Sequence, residues 1–466
     1  MVDDEYLNPV LEKIHYVPIP DEPHVQIAED SSFDYDVERL ITEGLGVDPQ
    51  AKRHSLETLR RGFVPLLCDA IEQAATSNQS EVEAFKDYKA EFFRSIVHRD
   101  EYTYRIIFPL QQSCADALNE PVAVLGHELQ PADHAELESG LESYSARGTS
   151  ESYTEAANLF REYDGEYWQL QIDARDNAFA YQRATTVLRY FYGILNQLML
   201  RWRRLRWTTD GEPTQRSAPG LRLPAGMLVY SNTAAETRDE HAQLTIKRES
   251  ITKQGGRSSA LDAYSSLPQL PSLDSLTEAQ ERLFAAATSY QKGSSTANAN
   301  DAFFAFWRGI EVLDVSEQLS NEELVTRARQ ILWSVSGSDL GNPETRKGGL
   351  RFERSRLLDA MDRLDELRNR MVHEGPGVEI RPIDVVAAKT LLDAYFDIYF
   401  EYWDKADTQA FEKLLDGFAL SSDERSDRIA DLENQIDILK EADEFDTQRI
   451  RADHEDDIWW PTIPDY

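Results

Sequence analysis

At Ser275 the hydrophobic pattern of this chain changes character. Before it, strand-like stretches with a period of two stand among helical ones; after it, the apolar stretches recur at helical spacing. With 466 residues the chain has room for two or three cores. The change of period predicts an α+β N-terminal domain followed by an all-α helical bundle, predominantly α overall.

In the first part, Tyr102-Thr103-Tyr104-Arg105-Ile106-Ile107-Phe108 is rich in β-formers and stops at Pro109, which predicts a strand. Trp168, Leu170, Ile172 and Ala174 alternate with polar residues, the pattern of a half-buried strand. Asp176-Asn177 then opens a helix with the apolar stripe Phe179, Ala184, Val187, Leu188, Phe191, Leu195 and Leu198. A short strand is predicted over Met227–Tyr230, and 54–98 reads as helical through Leu59, Phe63, Leu66, Leu67 and Ile71. Residues 127–165 read as mixed helix and loop. Residues 1–50, acidic and weakly periodic, read as an arm or peripheral layer. Residues 51–235 form the α+β domain, and the Ser/Thr/Gly/Gln-rich 236–274 reads as a linker.

In the second part, Ser275-Leu276-Thr277-Glu278 has capping-box spacing and opens a helix through Tyr290, broken by 293–300. Ala302–Leu319 predicts the next helix, its aromatics Phe303, Phe304, Phe306 and Trp307 belonging to the core. Ser320-Asn321-Glu322-Glu323 is a second capping box and starts a helix to about Val335. Leu350–His373 and Asp384–Trp403 predict two more, in an up-down bundle over 275–404. The acidic, helix-prone tail 405–466 carries Ile429, Leu432, Ile436 and Leu439 in an a/d pattern over two heptads, short of the three or four that define a coiled coil. It ends in the apolar tip Ile458-Trp459-Trp460-Pro461.

Charge narrows the classes. Aspartate and glutamate number 84 against 49 lysine and arginine, a formal −35 spread along the whole chain. That excludes a protein whose entire surface binds nucleic acid. Diffuse acidity of this kind is similar to that of halophilic proteins: at 1 M salt the Debye length is about 3 Å and self-repulsion is screened. The two cysteines, Cys68 and Cys114, have no metal-ligand spacing and form no disulfide framework. Without an apolar leader or a bilayer-length apolar run, a cytoplasmic protein without membrane association is expected.

The chemistry concentrates at Arg368-Asn369-Arg370-Met371-Val372-His373, followed by Glu374-Gly375-Pro376-Gly377. Arginine and histidine five apart stand about 1.4 turns along a helix, roughly on one side of it. A fixed cation beside a titratable imidazole suits holding a phosphate and moving a proton. A purely structural alternative pairs Arg368 with Glu311 and leaves His373 capping the helix C-terminus. Two basic clusters accompany the motif. Arg201, Arg203 and Arg204, interleaved with Trp202 and Trp207, suit phosphate contact and base stacking. The alternative for that cluster is a helix terminus whose arginines pair with the abundant acids. Arg346, Lys347, Arg351 and Arg354 lead into the motif helix and suit an RNA path to Arg368; a solvated basic face is the alternative there. His98-Arg99-Asp100 matches part of a kinase catalytic loop, but position 105 is Arg where that loop has Asn, and the chain has no accompanying Gly-rich loop.

Residues 275–404 resemble HEPN domains, most closely the Apea-like group. Phe306-Trp307-Arg308-Gly309-Ile310-Glu311-Val312-Leu313 is similar to that group's aromatic helix with its Trp-x-x-x-Glu pattern. Leu367–Gly375 fits the family's Arg-x4–6-His motif with a polar residue after the arginine, and the separation of about sixty residues fits too. The resemblance implies a homodimeric bundle that pairs two motifs in a cleft, acting as a metal-independent endoribonuclease of toxin or antiviral systems. It requires no cofactor. By position Arg368 and His373 would be catalytic, Asn369 would orient them or bind phosphate, and Glu311 would orient the arginine or histidine. Glu374 departs from the pattern, since many members pass directly from histidine to glycine. Two non-catalytic expectations stand beside this one. One is a HEPN nucleotide- or RNA-binding and dimerisation module in a regulatory complex; the other is a docking role for the C-terminal helix and Trp459-Trp460 on a regulatory protein partner.

Overall fold

The computed structural model describes residues 4–455 except 18–23, 28–31, 78, 111–120, 147–150, 164–165, 202–219, 225, 232–241, 247–263, 266, 268, 315–318, 337–353, 375–376 and 403–407. It is predominantly α, with an α+β N-terminal part. Contacts divide the described residues into two compact units, one up to Ala297 and one from Asn298.

The first unit opens with α1 (Asp4–Leu11), the hairpin β1 (Ile14–Val17) and β2 (His24–Ile27), and α2 (Phe33–Arg39). Then follow α3 (Leu56–Ser77) and α4 (Glu81–Phe92). Residues 4–47 are not a peripheral arm. Leu7, Val10, Ile14, Phe33, Val37, Leu40 and Ile41 share one core with Leu59, Phe63 and Leu67 of α3 and with Phe85 and Phe92 of α4. The helical stretches that carry Leu7, Val10, Phe33 and Val37 are only eight and seven residues long, too short for their period to stand out.

A six-stranded antiparallel sheet follows. Its strands are β3 (Tyr102–Pro109), β4 (Val122–Val124), β5 (His127–Pro131), β6 (Tyr167–Ala174), β7 (Gly226–Tyr230) and β8 (Ala242–Ile246), in the order β4-β5-β6-β3-β7-β8. Central β3 pairs with β6 from Tyr102↔Ala174 to Pro109↔Tyr167, and with β7 through Ile106↔Val229. The helices α5 (His134–Ser145) and α6 (Glu151–Arg161) put Leu137, Leu141 and Phe160 against Ile107, Leu228 and Tyr230 on one face. Alternation turns Ile106 and Phe108 to the other face, where α7 (Asn177–Leu200) packs on β3, β6 and β7. Strand β8 lies within the segment expected to be a linker. Its Ala242, Leu244, Ile246 alternation is only five residues long and sits in polar surroundings.

Asp176 fixes the start of α7. Its carboxylate accepts from the Phe179 amide at 2.7 Å and the Ser55 amide at 2.9 Å, lies 3.1 Å from His54 Nδ1 and is within 3.7 Å of Arg99. Burial pushes this carboxyl up, but those hydrogen bonds and the Arg99 charge together hold it below its usual value. Along α7 runs α8 (Glu278–Ser295), which therefore belongs to the first unit, so the helical unit begins at Asn298 and not at Ser275. Asn196 of α7 ties the pair, donating to Ser294 Oγ at 2.8 Å and to the Leu221 carbonyl at 3.0 Å. The capping box of α8 is Thr277 with Gln280, two residues beyond the expected one, because Ser275 closes a short 3₁₀ turn by donating to the Ser272 carbonyl. Gly293 lies inside the helix and does not break it.

The second unit contains α9 (Ala299–Leu313), α10 (Asn321–Ser336), α11 (Arg354–Met361), α12 (Leu364–Glu374), α13 (Pro382–Tyr402), α14 (Thr408–Ala419) and α15 (Ser422–Glu455). The expected capping box at Ser320 and Glu323 is formed, with the Ser320 amide 2.8 Å from the Glu323 carboxylate. The single helix expected over Leu350–His373 is two, α11 and α12. The turn residues between them are held from outside, Asp362 by Arg329 and Arg363 by Asp384. Helix α13 is the hub, with α9, α10, α11 and α12 packed on it. Part of the expected tail also joins the bundle: Phe411 of α14 is buried with its ring 4.2 Å from that of Tyr399. Trp459 and Trp460 lie outside the described residues.

Gly193, the one glycine of α7, tests the helix pairing. A Cβ there would stand 2.0 Å from the Ala287 carbonyl oxygen of α8, a backbone atom that cannot rotate away. Gly193→Ala is expected to destabilise the first unit by about 1–3 kcal/mol despite its better helix propensity. Denaturant unfolding in multimolar KCl checks this; a neutral or stabilising result contradicts the packing.

Candidate functional site

Glu311 organises the site. It sits one turn after Trp307 on α9, and its Oε1 accepts from the Trp307 indole Nε1 at 2.6 Å. The indole is buried, 1% exposed, so its donor needs this acceptor. The same oxygen accepts from Arg368 Nε at 3.3 Å and Nη2 at 3.2 Å across the gap to α12. Arg368 is thus held by a carboxylate that is itself held from the core. About a third of each side chain in this ion pair remains exposed.

Asn369, next on α12, accepts at Oδ1 from Asn321 Nδ2 at 2.8 Å. That bond joins α12 to the first residue of α10. Arg370 pairs along its own helix with Glu374, Nε to Oε1 at 3.2 Å, and this raises the Arg370 pKa. The carboxylate that departs from the family pattern is therefore engaged by Arg370 and not by the imidazole.

His373 stands apart from this network. It lies in the last turn of α12, exposed, and forms no hydrogen bond or ion pair among the described residues. The expectation that Arg368 and His373 share one side of a helix needs correction. Five residues at about 100° each bring the second side chain about 140° around the axis from the first. Arg368 turns to Glu311 on α9, whereas His373 and Val372 face outward. Within one copy the motif therefore presents an anchored cation and, a turn further on, an unengaged imidazole.

The basic clusters fall mostly outside what is described. Arg203, Arg204, Arg346, Lys347 and Arg351 lie outside the described residues. Arg201 is the exposed C-cap of α7, in the first unit. Arg354 is the first residue of α11.

A separate polar cleft of about 390 Å³ lies in the first unit, between the β4–β5 turn, the end of β6 and the start of α7. Its cations are already compensated. Arg183 meets Asp274 at 2.9 Å, and Arg53 pairs with Glu101. Burial, helped by the Arg183 charge, lowers the His127 pKa below its ordinary value. Both arginines of the cleft are paired with carboxylates.

No family model, curated protein or solved structure matches this chain. The likeness to HEPN domains rests on the two motifs and their separation.

The shared carboxylate predicts an asymmetry in stability. Glu311→Ala orphans the buried Trp307 indole and should cost about 2–3 kcal/mol. Arg368→Ala removes only a partly exposed ion pair and leaves Glu311 with its indole donor, so it should cost about 1 kcal/mol or less. Chemical denaturation of both variants checks this; equal losses, or the reverse order, contradict the arrangement.

Proposed function

We propose that this protein is a metal-independent endoribonuclease of the HEPN type, acting as a dimer in antiviral defence or growth arrest. The observation that carries the reading is the combination at α12: Arg368 anchored through Glu311 to Trp307, and an exposed His373 that no described residue engages. A catalytic cation needs a fixed position, and a proton-transfer group needs an open one.

The chemistry follows from RNA itself. The 2′-hydroxyl oxygen attacks the adjacent phosphorus as one His373 imidazole takes its proton. The bond from phosphorus to the 5′-oxygen breaks, and a second, protonated imidazole from the other copy delivers a proton to that oxygen. The products are a 2′,3′-cyclic phosphate and a 5′-hydroxyl. Arg368 stabilises the charge that develops on the phosphorane oxygens. Glu311 Oε1 engages Nε and Nη2 of the guanidinium, so Nη1, which no described residue engages, is the atom open to a phosphate.

The non-catalytic alternative, an RNA- or nucleotide-binding module, draws on the same ion pair, since Glu311 already offsets the charge of Arg368. Cleavage decides between them. End-labelled tRNA and mRNA would be incubated in multimolar KCl with EDTA. Wild type is expected to cut and leave cyclic phosphate ends, and His373→Ala and Arg368→Ala should each lose about 100-fold or more. Failure of folded, dimeric wild type to cut any RNA, or equal cutting by His373→Ala, contradicts the ribonuclease reading.

A further inference from the structure

We propose that α15 pairs in parallel and in register with α15 of a second copy of this chain. From Ser422 to Asp443 the helix is exposed on every side, with only Arg425 partly covered. Yet it carries an apolar seam: Ile429, Leu432, Ile436 and Leu439 are 56, 44, 49 and 68% exposed. Polar solvated helices have no use for such a stripe, and among the described residues nothing covers it.

The residue types select the occupant. With Ile429 and Ile436 at a and Leu432 and Leu439 at d, the seam has β-branched residues at a and leucine at d, the arrangement that favours two parallel strands. The flanking charges agree. In a parallel pair the g position of one heptad meets the e position of the next on the partner helix; here these are Arg428 and Glu433, which complement each other twice by symmetry. The next such pair, Gln435 with Lys440, sets no like charges together. Arg425 and Asp443, at the d and a positions just outside, end the seam at both sides. The helix has 12 acidic against 5 basic residues, so two copies repel in dilute buffer and approach in multimolar salt, where screening is nearly complete.

The pairing stands on the seam alone, but its consequence rests on the ribonuclease reading. Parallel helices start at the same end and bring two bundles, with their two motifs, to one side. Antiparallel helices would separate them by up to the length of α15, about 51 Å.

The test uses the full chain in multimolar KCl. Sedimentation equilibrium should give a dimer for wild type and a monomer for Ile436→Asp, with unchanged circular dichroism because Ile436 is half exposed within one copy. On mild oxidation Ile436→Cys should cross-link to itself in high yield, relative to wild type with its native cysteines. A monomeric wild type, or an Ile436→Asp variant that remains fully dimeric, overturns the proposal. So does an Ile436→Cys variant that fails to cross-link while a mixture of Ile429→Cys and Leu439→Cys does, since that marks antiparallel helices. RNA cleavage is not read in this experiment, so its outcome and the failure of the ribonuclease reading can be told apart.

Discussion

Helix α13 is buried on nearly all faces from Asp384 to Tyr399, and the second unit depends on that constraint. A helix with no solvated face must find partners inside for each polar group it carries. Lys389 therefore pairs with Asp393 one turn along, both almost wholly buried, at 2.5 Å. The Tyr395 hydroxyl donates to Asp314 at 2.6 Å, and Arg327 of α10 lies 3.2 Å from the same carboxylate. Asp384 caps the helix start and takes Arg363 and Arg381. Removing one partner from the fully buried Lys389–Asp393 pair would cost about 3–5 kcal/mol. The bonds of Asp314 with Tyr395 and Arg327, and of Asp384 with Arg363, cross between elements and so specify how the surrounding helices sit.

Two of those surrounding helices, α9 and α12, carry the candidate site. Gly309 on α9 lets Leu392 of α13 come close: a Cβ at Gly309 would stand 2.7 Å from a Leu392 methyl. Two residues further along, Glu311 emerges beside α12 and meets Arg368. The site is thus a by-product of packing. Trp307 fills the core, Glu311 satisfies its indole, and the remaining acceptor capacity of that carboxylate fixes the arginine. His373 lies past the last core residue of α12, Leu367, where the helix leaves the bundle.

Much of this was legible in the sequence. The strands at Tyr102 and Trp168, the long helix from Asn177, the capping box at Ser320 and the aromatic helix with Glu311 each follow from a local period or cap. What was not legible depends on distant partners. The break between α11 and α12 is held by Arg329 and by Asp384, more than twenty residues away in each case. The place of α8 beside α7 turns on Gly193 and Asn196, neither of which a hydrophobic pattern distinguishes. The relation of Arg368 to His373 turns on a simpler rule: a spacing of five is neither three nor four, and the helix angle separates them. Glu311 was legible only through its motif, because its contact with Arg368 spans 57 residues.

The anchored arginine, the open histidine and the apolar seam of α15 compose one account, in which two copies bring two motifs to a single phosphodiester. A crystal structure with RNA methylated at every 2′-oxygen, and so unable to cleave, tests it most directly. The account predicts a phosphate about 3 Å from the Arg368 guanidinium, with a His373 imidazole from each copy on either side of it. A phosphate bound elsewhere, with Arg368 still engaged by Glu311 alone, would contradict it.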